Sequence, residues 1–203
     1  MAMPPKATPE SVDRREFFRQ AWGWAARKRE EAKPKSAPIS GLLRPPGAAE
    51  EREFMALCRR CGACRQACPH GSLLPAGPEA GEAEGTPILL PRKFPCQLCE
   101  ELPCIAACPS GALKPLASRR EVRIGVAVLA QNRCLAWDDQ PCQLCLIRCP
   151  LAGEALYQEE WKPVVVAEKC TGCGMCEQAC SMVNGERAAI KVGHRLQGTG
   201  NSH

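Results

Sequence analysis

Short apolar runs, separated by polar turns and by cysteines, follow one another along most of this 203-residue chain. Residues 162–167 and 189–192 are rich in valine and isoleucine, a composition that predicts two short β-strands. Residues 122–129 predict a third strand, and residues 50–57 predict a short helix that leads directly to the first cysteine. Glycine and proline dominate residues 71–87, which we interpret as a linker. The pattern therefore predicts an α+β fold of short strands and helices with much irregular loop.

The first 50 residues differ in composition from the rest of the chain. They are rich in proline and alanine, carry ten Lys and Arg against six Asp and Glu, and predict a flexible basic arm. Within the arm, residues 11–32 have helical potential and place Phe17, Phe18, Trp22 and Trp24 between basic residues. This segment predicts either a helix that docks on a membrane surface or a partner, or a helix folded back on the body. The body then spans residues 51–195, and residues 196–203 are predicted to be a disordered tail.

Sixteen cysteines occupy four tight groups in the body. Three groups end in Cys-Pro, and a C-x2-C-x2-C-x3-C run that ends in proline is typical of a cubane [4Fe–4S] cluster whose fourth cysteine binds the neighbouring cluster. We therefore predict two ferredoxin-like dicluster modules that hold four [4Fe–4S] clusters. The predicted iron ligands are Cys58, Cys61, Cys64 and Cys68; Cys96, Cys99, Cys104 and Cys108; Cys134, Cys142, Cys145 and Cys149; and Cys170, Cys173, Cys176 and Cys180. Two pairings of the groups fit these counts equally: a sequential one (first with second, third with fourth) and a nested one (first with fourth, second with third).

The cysteine spacing favours iron–sulfur clusters over disulfides and zinc. Three thiolates at two-residue intervals need a tight loop, which Gly62, Gly172 and Gly174 help to turn. Proline after the fourth cysteine redirects the chain in three groups, whereas Ser181 takes that place in the last group and predicts a different exit. Disulfides usually staple distant loops, but these cysteines crowd together. Zinc sites often recruit histidine, but the chain has only three histidines for sixteen cysteines. Zinc also gives no reason for the proline that follows the fourth cysteine.

The clusters would reverse the charge of the body. Outside the arm the sequence has 17 basic and 16 acidic residues, and four oxidised clusters would add a charge of about −8. An acidic body does not favour nucleic acid as a partner and fits a positively charged redox protein, while the arm is free to meet a membrane surface or another subunit. Six basic residues beside the ligands either raise cluster potentials or are solvated surface charges: Arg59, Arg60, Arg65, Arg133, Arg148 and Lys169.

The cysteine segments resemble one family of proteins. CRRCGACRQACP, GTPILLPRKFPCQLCEELPCIAACPSGAL, RIGVAVLAQNRCLAWDDQPCQLCLIRCP and CTGCGMCEQAC are similar, in this order and with these unequal spacings, to ferredoxin-type NapG/MauM proteins over residues 54–192. The resemblance implies an electron carrier without catalytic residues that holds four [4Fe–4S] clusters. Its implied partners are a membrane-bound quinol-oxidising subunit and a redox acceptor, either a reductase or a cytochrome.

The cellular compartment and a second function class stay open at the level of sequence. Residues 13–19 resemble a twin-arginine export signal, but the apolar stretch that follows, AWGWAA, is short and no cleavage motif follows it. We therefore expect a cytoplasmic protein, peripheral on the inner membrane, with periplasmic export as the alternative. The second function class is a cytoplasmic maturation helper that docks a metallo-reductase through the arm and donates metal or electrons to it.

Overall fold

The structure, a computed structural model, describes residues 41–194. The predicted helix at residues 11–32 and the predicted tail at residues 196–203 lie outside the described residues. The described part mixes short helices with small antiparallel sheets, as expected from the sequence. Its helices are α1 (Glu51–Leu57), α2 (Ala63–Gln66), α3 (Pro103–Ala106), α4 (Leu144–Arg148) and α5 (Met175–Asn184). Its strands are β1 (Leu73–Pro75), β2 (Pro87–Leu89), β3 (Val126–Leu129), β4 (Leu156–Glu159), β5 (Lys162–Val165) and β6 (Ile190–Gly193).

The strands form three separate two-stranded antiparallel sheets. β1 pairs with β2, β4 pairs with β5 through a tight hairpin, and β3 pairs with β6 across more than sixty residues of chain. The three strands predicted from the sequence correspond to β3, β5 and β6. The strands on either side of the last cysteine group, β5 and β6, belong to different sheets. The β3–β6 sheet therefore ties the third cysteine group to the end of the described chain.

Residues 71–87 are a packed part of the fold, and their interpretation as a linker was wrong. They contain β1, a short 3₁₀ segment (Pro78–Ala83) and the start of β2. Ala83 and Thr86 are fully buried. The guanidinium of Arg60 holds the segment by donating hydrogen bonds to the backbone carbonyls of Glu82 (2.8 Å) and Glu84 (3.0 Å). The glycines and prolines lie at the turns of a compact, partly buried loop segment.

The boundary that we placed at residue 50, between arm and body, falls inside the packed body. Leu43 and Ala49 are buried, and Arg44 is only 6% exposed. The Arg44 guanidinium lies 4.7 Å from the ring centroid of Phe54 and donates hydrogen bonds to Glu51 Oε2 (2.9 Å) and Thr86 Oγ1 (2.8 Å). A buried cation needs such partners, and their positions fix residues 43–49 against α1 and β2.

Each of the four later helices carries the third cysteine of a group, and the residue after the fourth cysteine decides how the helix ends. α2, α3 and α4 have four or five residues, and a Cys-Pro step follows each of them. α5 has ten residues because Ser181 allows the helix to continue to Asn184. The different exit predicted for the fourth group is therefore confirmed. No helix within residues 41–194 is long and apolar enough to cross a membrane.

Candidate metal centres

The structure gathers all sixteen cysteines into four sets of four, and each set lines its own cavity. Site 1 comprises Cys58, Cys61, Cys64 and Cys108. Site 2 comprises Cys68, Cys96, Cys99 and Cys104. Site 3 comprises Cys149, Cys170, Cys173 and Cys176, and site 4 comprises Cys134, Cys142, Cys145 and Cys180. Every set thus takes three cysteines from one group and the fourth cysteine of another.

The exchange of fourth cysteines is sequential. The first and second groups trade Cys68 and Cys108, and the third and fourth groups trade Cys149 and Cys180. The helices follow the same division, because α2 packs on α3 and α4 packs on α5. Of the two pairings that the cysteine counts left open, the structure therefore has the sequential one.

The four sites form a row in which a cysteine of each site lies near a cysteine of the next site. Burial raises the pKa of Cys104 to about 11, and the nearby Cys64 thiol of site 1 adds to the rise. Burial likewise raises the pKa of Cys176 well above its usual value, with a contribution from Cys145 of site 4. Sites 2 and 3 meet where the backbone N–H of Cys96 donates a 2.8 Å hydrogen bond to the carbonyl of Cys173. The order along the row is therefore site 1, site 2, site 3, site 4.

The thiols of each site surround a small cavity. Within residues 41–194 no three His, Cys, Asp or Glu side chains converge closely enough to hold a single metal ion. Apolar side chains complete the walls, such as Leu156 and Val165 at site 3 and Leu129 and Ile190 at site 4. The arrangement offers four soft sulfur ligands around a mainly apolar cavity, spaced too widely in the described structure to share a single ion.

Burial makes the free thiols weak acids. It raises the pKa of Cys64 to about 11 and that of Cys96 and Cys145 to about 12, because a thiolate is poorly solvated in the interior. A group that binds these sulfurs as thiolates must therefore displace protons and compensate several negative charges in one cavity.

Backbone N–H groups point at several of the sulfurs. Those of Ser72, Ala127 and Ala189 donate to the Sγ atoms of Cys68 (3.4 Å), Cys170 (3.4 Å) and Cys180 (3.2 Å), respectively. At Cys108, burial acts to raise the pKa, but the Ser110 hydroxyl and the N–H groups of residues 110, 112 and 113 outweigh it and lower the pKa. Such donors stabilise negative charge on sulfur, as bound clusters require.

Ser110 is a functional candidate that the sequence analysis missed. Its hydroxyl lies 3.6 Å from the Sγ of Cys108. The only sequence signal is its position directly after the Cys108-Pro109 step, where the chain turns back towards the sulfur.

Two close approaches explain the glycines of the last cysteine loop. Gly172 and Gly174 both have the left-handed backbone conformation, with φ of +71° and +87°. A Cβ atom on Gly172 would lie 2.3 Å from the backbone nitrogen of Gly125, and one on Gly174 would lie 2.2 Å from the Cβ of Pro91. Both contacts hold the loop of site 3 against earlier parts of the chain.

The six basic residues proposed to lie beside the ligands have unequal positions. Arg59 and Arg60 line the cavity of site 1. Arg65 is exposed on α2, while Arg133, Arg148 and Lys169 line none of the four cavities. Within the described residues, no lysine or arginine lines sites 2, 3 or 4. Cationic compensation of a bound cluster is therefore concentrated at site 1.

Comparisons with known proteins relate the chain to 4Fe-4S proteins. The 4Fe-4S dicluster domain family matches residues 57–112, and the 4Fe-4S binding domain family matches residues 161–182. The methylamine utilization ferredoxin-type protein MauM of Paracoccus denitrificans is 43% identical over 177 residues, which cover 81% of this chain and 77% of the relative. The ferredoxin-type protein NapG of Escherichia coli is 41% identical over 171 residues, 77% of this chain and 73% of the relative. The ferredoxin-type protein NapF of the same organism is 30% identical over 147 residues, 70% of this chain and 81% of the relative. No solved structure matches the chain.

Proposed function

Because this chain belongs to the family of ferredoxin-type proteins that includes MauM and NapG, and is thus an iron–sulfur electron carrier, we propose that it relays electrons along four [4Fe–4S] clusters bound at sites 1 to 4. The observation that carries the proposal is the row of four cysteine quartets, each built from three cysteines of one group and the fourth of its neighbour. This is the ligand exchange expected of two dicluster modules, one with sites 1 and 2 and one with sites 3 and 4.

The residues at the sites fit the proposed cofactor. Four thiols are the full ligand set of a cubane, and backbone N–H groups directed at sulfur stabilise an anionic cluster. Apolar side chains line much of these cavities and shield the sulfurs in part from water. Clusters that cross-link distant parts of the chain also explain how short helices and two-stranded sheets suffice for a stable body, since ligand binding then contributes to folding.

When bound, each cluster would accept and release one electron without making or breaking a bond in a substrate. The protein's own residues determine where this happens and how easily. The Cys64–Cys104, Cys96–Cys173 and Cys145–Cys176 neighbours keep consecutive sites adjacent. The N–H donors at Cys68, Cys170 and Cys180, together with the hydroxyl at Cys108, favour added negative charge. The chain thus fixes the positions of the clusters relative to one another, and its hydrogen-bond donors influence the reduction potential of each cluster.

The proposed partners are a membrane-bound quinol-oxidising subunit as the electron donor and a reductase or cytochrome as the acceptor. We place the protein in the cytoplasm at the inner membrane, with the N-terminal arm as the contact to the membrane surface. A fusion in which the N-terminal arm of this chain precedes a folded reporter that is active only after export tests this placement. Reporter activity outside the cytoplasm would contradict it.

Anaerobic purification, with iron and acid-labile sulfide analysis and EPR spectroscopy, tests the proposed cofactor content. We expect about sixteen iron and sixteen sulfide per chain, because a cubane holds four of each. Cys180→Ser should disturb one cluster, the one held by Cys134, Cys142 and Cys145, and Cys149→Ser should disturb the one held by the last group. An iron content well below four clusters in the wild-type protein would contradict the proposal. Loss of a cluster of the first group in Cys180→Ser, or of the second group in Cys149→Ser, would contradict it as well.

A further inference from the structure

We propose that the exposed surface around Cys61, formed with Arg59, Arg60 and Arg65, is the face at which this protein passes electrons to a soluble redox protein with an acidic surface. The proposal rests on the proposed function, because it requires a cluster at site 1. We call this surface the Cys61 face.

Exposure of a ligand distinguishes site 1 from the other sites. All sixteen cysteines lie in the described residues, and Cys61 is the one among them that is exposed. Electronic coupling between two redox centres decays steeply with the distance between them. A ligand that reaches the surface at one end of the row therefore gives a partner its shortest path to a cluster. Sites 2 and 3 lie inside the row, and site 4 has no exposed cysteine.

The Cys61 face is also basic. Arg59, Arg60 and Arg65 are all exposed. Among residues 41–194, none of the three forms an ion pair, and the hydrogen bonds of Arg60 go to backbone carbonyls. Glu82 and Glu84, whose carbonyls accept those bonds, are exposed too and form no ion pair with these arginines. Three guanidinium groups that pair with no carboxylate of the described residues suit a surface that presents carboxylates.

The local charge differs from that of the body as a whole. From the net charge of the body with four clusters bound we expected a positively charged partner, but at this end of the row three exposed arginines surround Cys61. At the other end, near site 4, large apolar side chains are exposed among charged ones such as Arg133 and Asp138: Ile147 is 71% exposed, Met182 81% and Val183 54%. Charged, steered surfaces suit brief encounters between electron carriers, whereas apolar surfaces suit longer-lived contacts. The Cys61 face is therefore the end suited to a soluble, exchanging partner.

The same features indicate the direction of transfer at this face. Reduction adds one negative charge to a cluster, and nearby cations and water stabilise that charge. Arg59 and Arg60 line site 1, and solvent reaches Cys61, whereas the other three cavities have no lining cation in the described residues. Electrons are therefore held most favourably at site 1, and the Cys61 face is the point of exit.

The test uses the full, cluster-loaded chain, reduced under anaerobic conditions and mixed rapidly with the anionic oxidant tris(oxalato)cobaltate(III). Arg59→Glu/Arg65→Glu is compared with Arg119→Glu/Arg187→Glu, which changes the net charge equally at exposed arginines that line none of the four cavities. We expect the first variant to be oxidised about fivefold more slowly at low ionic strength and to lose most of its salt dependence. The cationic oxidant hexaamminecobalt(III) should show the opposite change, and the control variant should behave like wild type with both.

A second readout does not depend on electron transfer. The redox-inert anion tris(oxalato)chromate(III) should speed the relaxation of one EPR signal in wild type and in the control variant but not in Arg59→Glu/Arg65→Glu. Iron and sulfide analysis checks that each variant is loaded. If the Glu variant loads poorly, Arg59→Gln/Arg65→Gln gives the same comparison with a smaller change of charge.

Equal effects of the two charge-reversed variants would overturn the proposal, since net charge alone would then explain them. Sedimentation of wild type, but not of Arg59→Glu/Arg65→Glu, with phosphatidylserine vesicles would also overturn it, because a membrane would then be the occupant of the Cys61 face. A wild-type protein without clusters would instead refute the proposed function itself, which the iron and sulfide analysis detects separately.

Discussion

At the residue scale, Gly172 sets how closely the last cysteine loop can approach the rest of the chain. Its φ of +71° already strains any residue with a side chain, by about 1–2 kcal/mol. An added Cβ would also lie 2.3 Å from the backbone nitrogen of Gly125, an atom that no side-chain rotation can move away. We expect Gly172→Ala to lower the free energy of unfolding by more than about 3 kcal/mol and to empty site 3. Thermal unfolding and iron content of the purified protein measure both effects.

Gly153 supplies the matched control for this substitution. Its φ is +82°, but nothing lies within 4 Å of the place where its Cβ would be. Gly153→Ala should therefore show the conformational cost alone and keep all clusters. Equal destabilisation by the two variants would mean that the contact with Gly125 is not the reason for glycine at position 172.

At the element scale, Arg44 joins the segment before α1 to both α1 and β2. It donates to Glu51 of α1, to Thr86 and to the carbonyl of Pro87 at the start of β2. Its side chain is 7% exposed, so its loss leaves buried polar groups without a partner. We expect Arg44→Ala to lower the free energy of unfolding of the loaded protein by about 3 kcal/mol, measured by urea denaturation.

An exposed ion pair provides the comparison for Arg44. Arg120 and Glu154 lie 2.7 Å apart at the surface, with side chains that are 63% and 46% exposed. Water and salt screen such a pair, so Arg120→Ala should leave the unfolding midpoint nearly unchanged. A loss of stability in Arg120→Ala as large as that in Arg44→Ala would show that burial is not what makes Arg44 important.

The length of α5 leads to a second prediction at this scale. Position 181 lies inside α5, so proline there removes a backbone hydrogen bond and clashes with the preceding turn, at a cost of about 3 kcal/mol. The end of α5 also carries Asn184, whose Nδ2 donates to the Sγ of Cys180 (3.5 Å). Ser181→Pro should therefore destabilise the protein and disturb the EPR signal of site 4, although proline follows the fourth cysteine in every other group. Ser181→Ala, which removes only the hydroxyl bonded to the Gln178 carbonyl, should do neither.

The elements also show how far the sequence predicts this fold. Local signals correctly indicated α1, β3, β5 and β6, because cysteine positions and β-branched runs act within a few residues. Strand partners were beyond reach, since the β3–β6 register joins residues such as Leu129 and Ile190 that are far apart in sequence. The segment at residues 71–87 was misjudged because its order depends on Arg60 and on burial of Thr86, neither of which its own composition reveals.

The cysteine sites were predictable to a similar extent. The spacing of the cysteines indicated four ligand sets, and all sixteen residues do gather in four cavities. The pairing of the groups depends on which helices pack together, and Cys61 is exposed because no other part of the described fold covers it. Both features arise from the folded chain and cannot be predicted from the spacing of the cysteines alone.

At the scale of the whole molecule, contacts between the residues around sites 1 and 2 and those around sites 3 and 4 keep the row of sites continuous. The Cys96–Cys173 hydrogen bond joins sites 2 and 3 directly. Close by, the Gln178 amide donates to the carbonyl of Lys93 (3.1 Å), and Arg92 pairs with Glu186 (2.9 Å). The segment around residues 91–96 therefore docks on the last cysteine loop and α5, and these contacts hold site 2 next to site 3.

The unequal surroundings of the four sites predict the order in which the clusters bound there are reduced. Site 1 combines an exposed ligand with two lining arginines, which stabilise added negative charge. In the part of the chain that the structure describes, no lysine or arginine lines site 3, and its Cys173 and Cys176 are buried, so burial opposes added charge there. We expect the first electron to settle at site 1, with a midpoint potential at least about 100 mV above that of site 3. A redox titration followed by EPR measures the order, with Cys108→Ser and Cys149→Ser to assign the signals of sites 1 and 3. If the first signal to appear persists in Cys108→Ser and is lost in Cys149→Ser, the first electron is held at site 3, and the Cys61 face cannot be the point of exit.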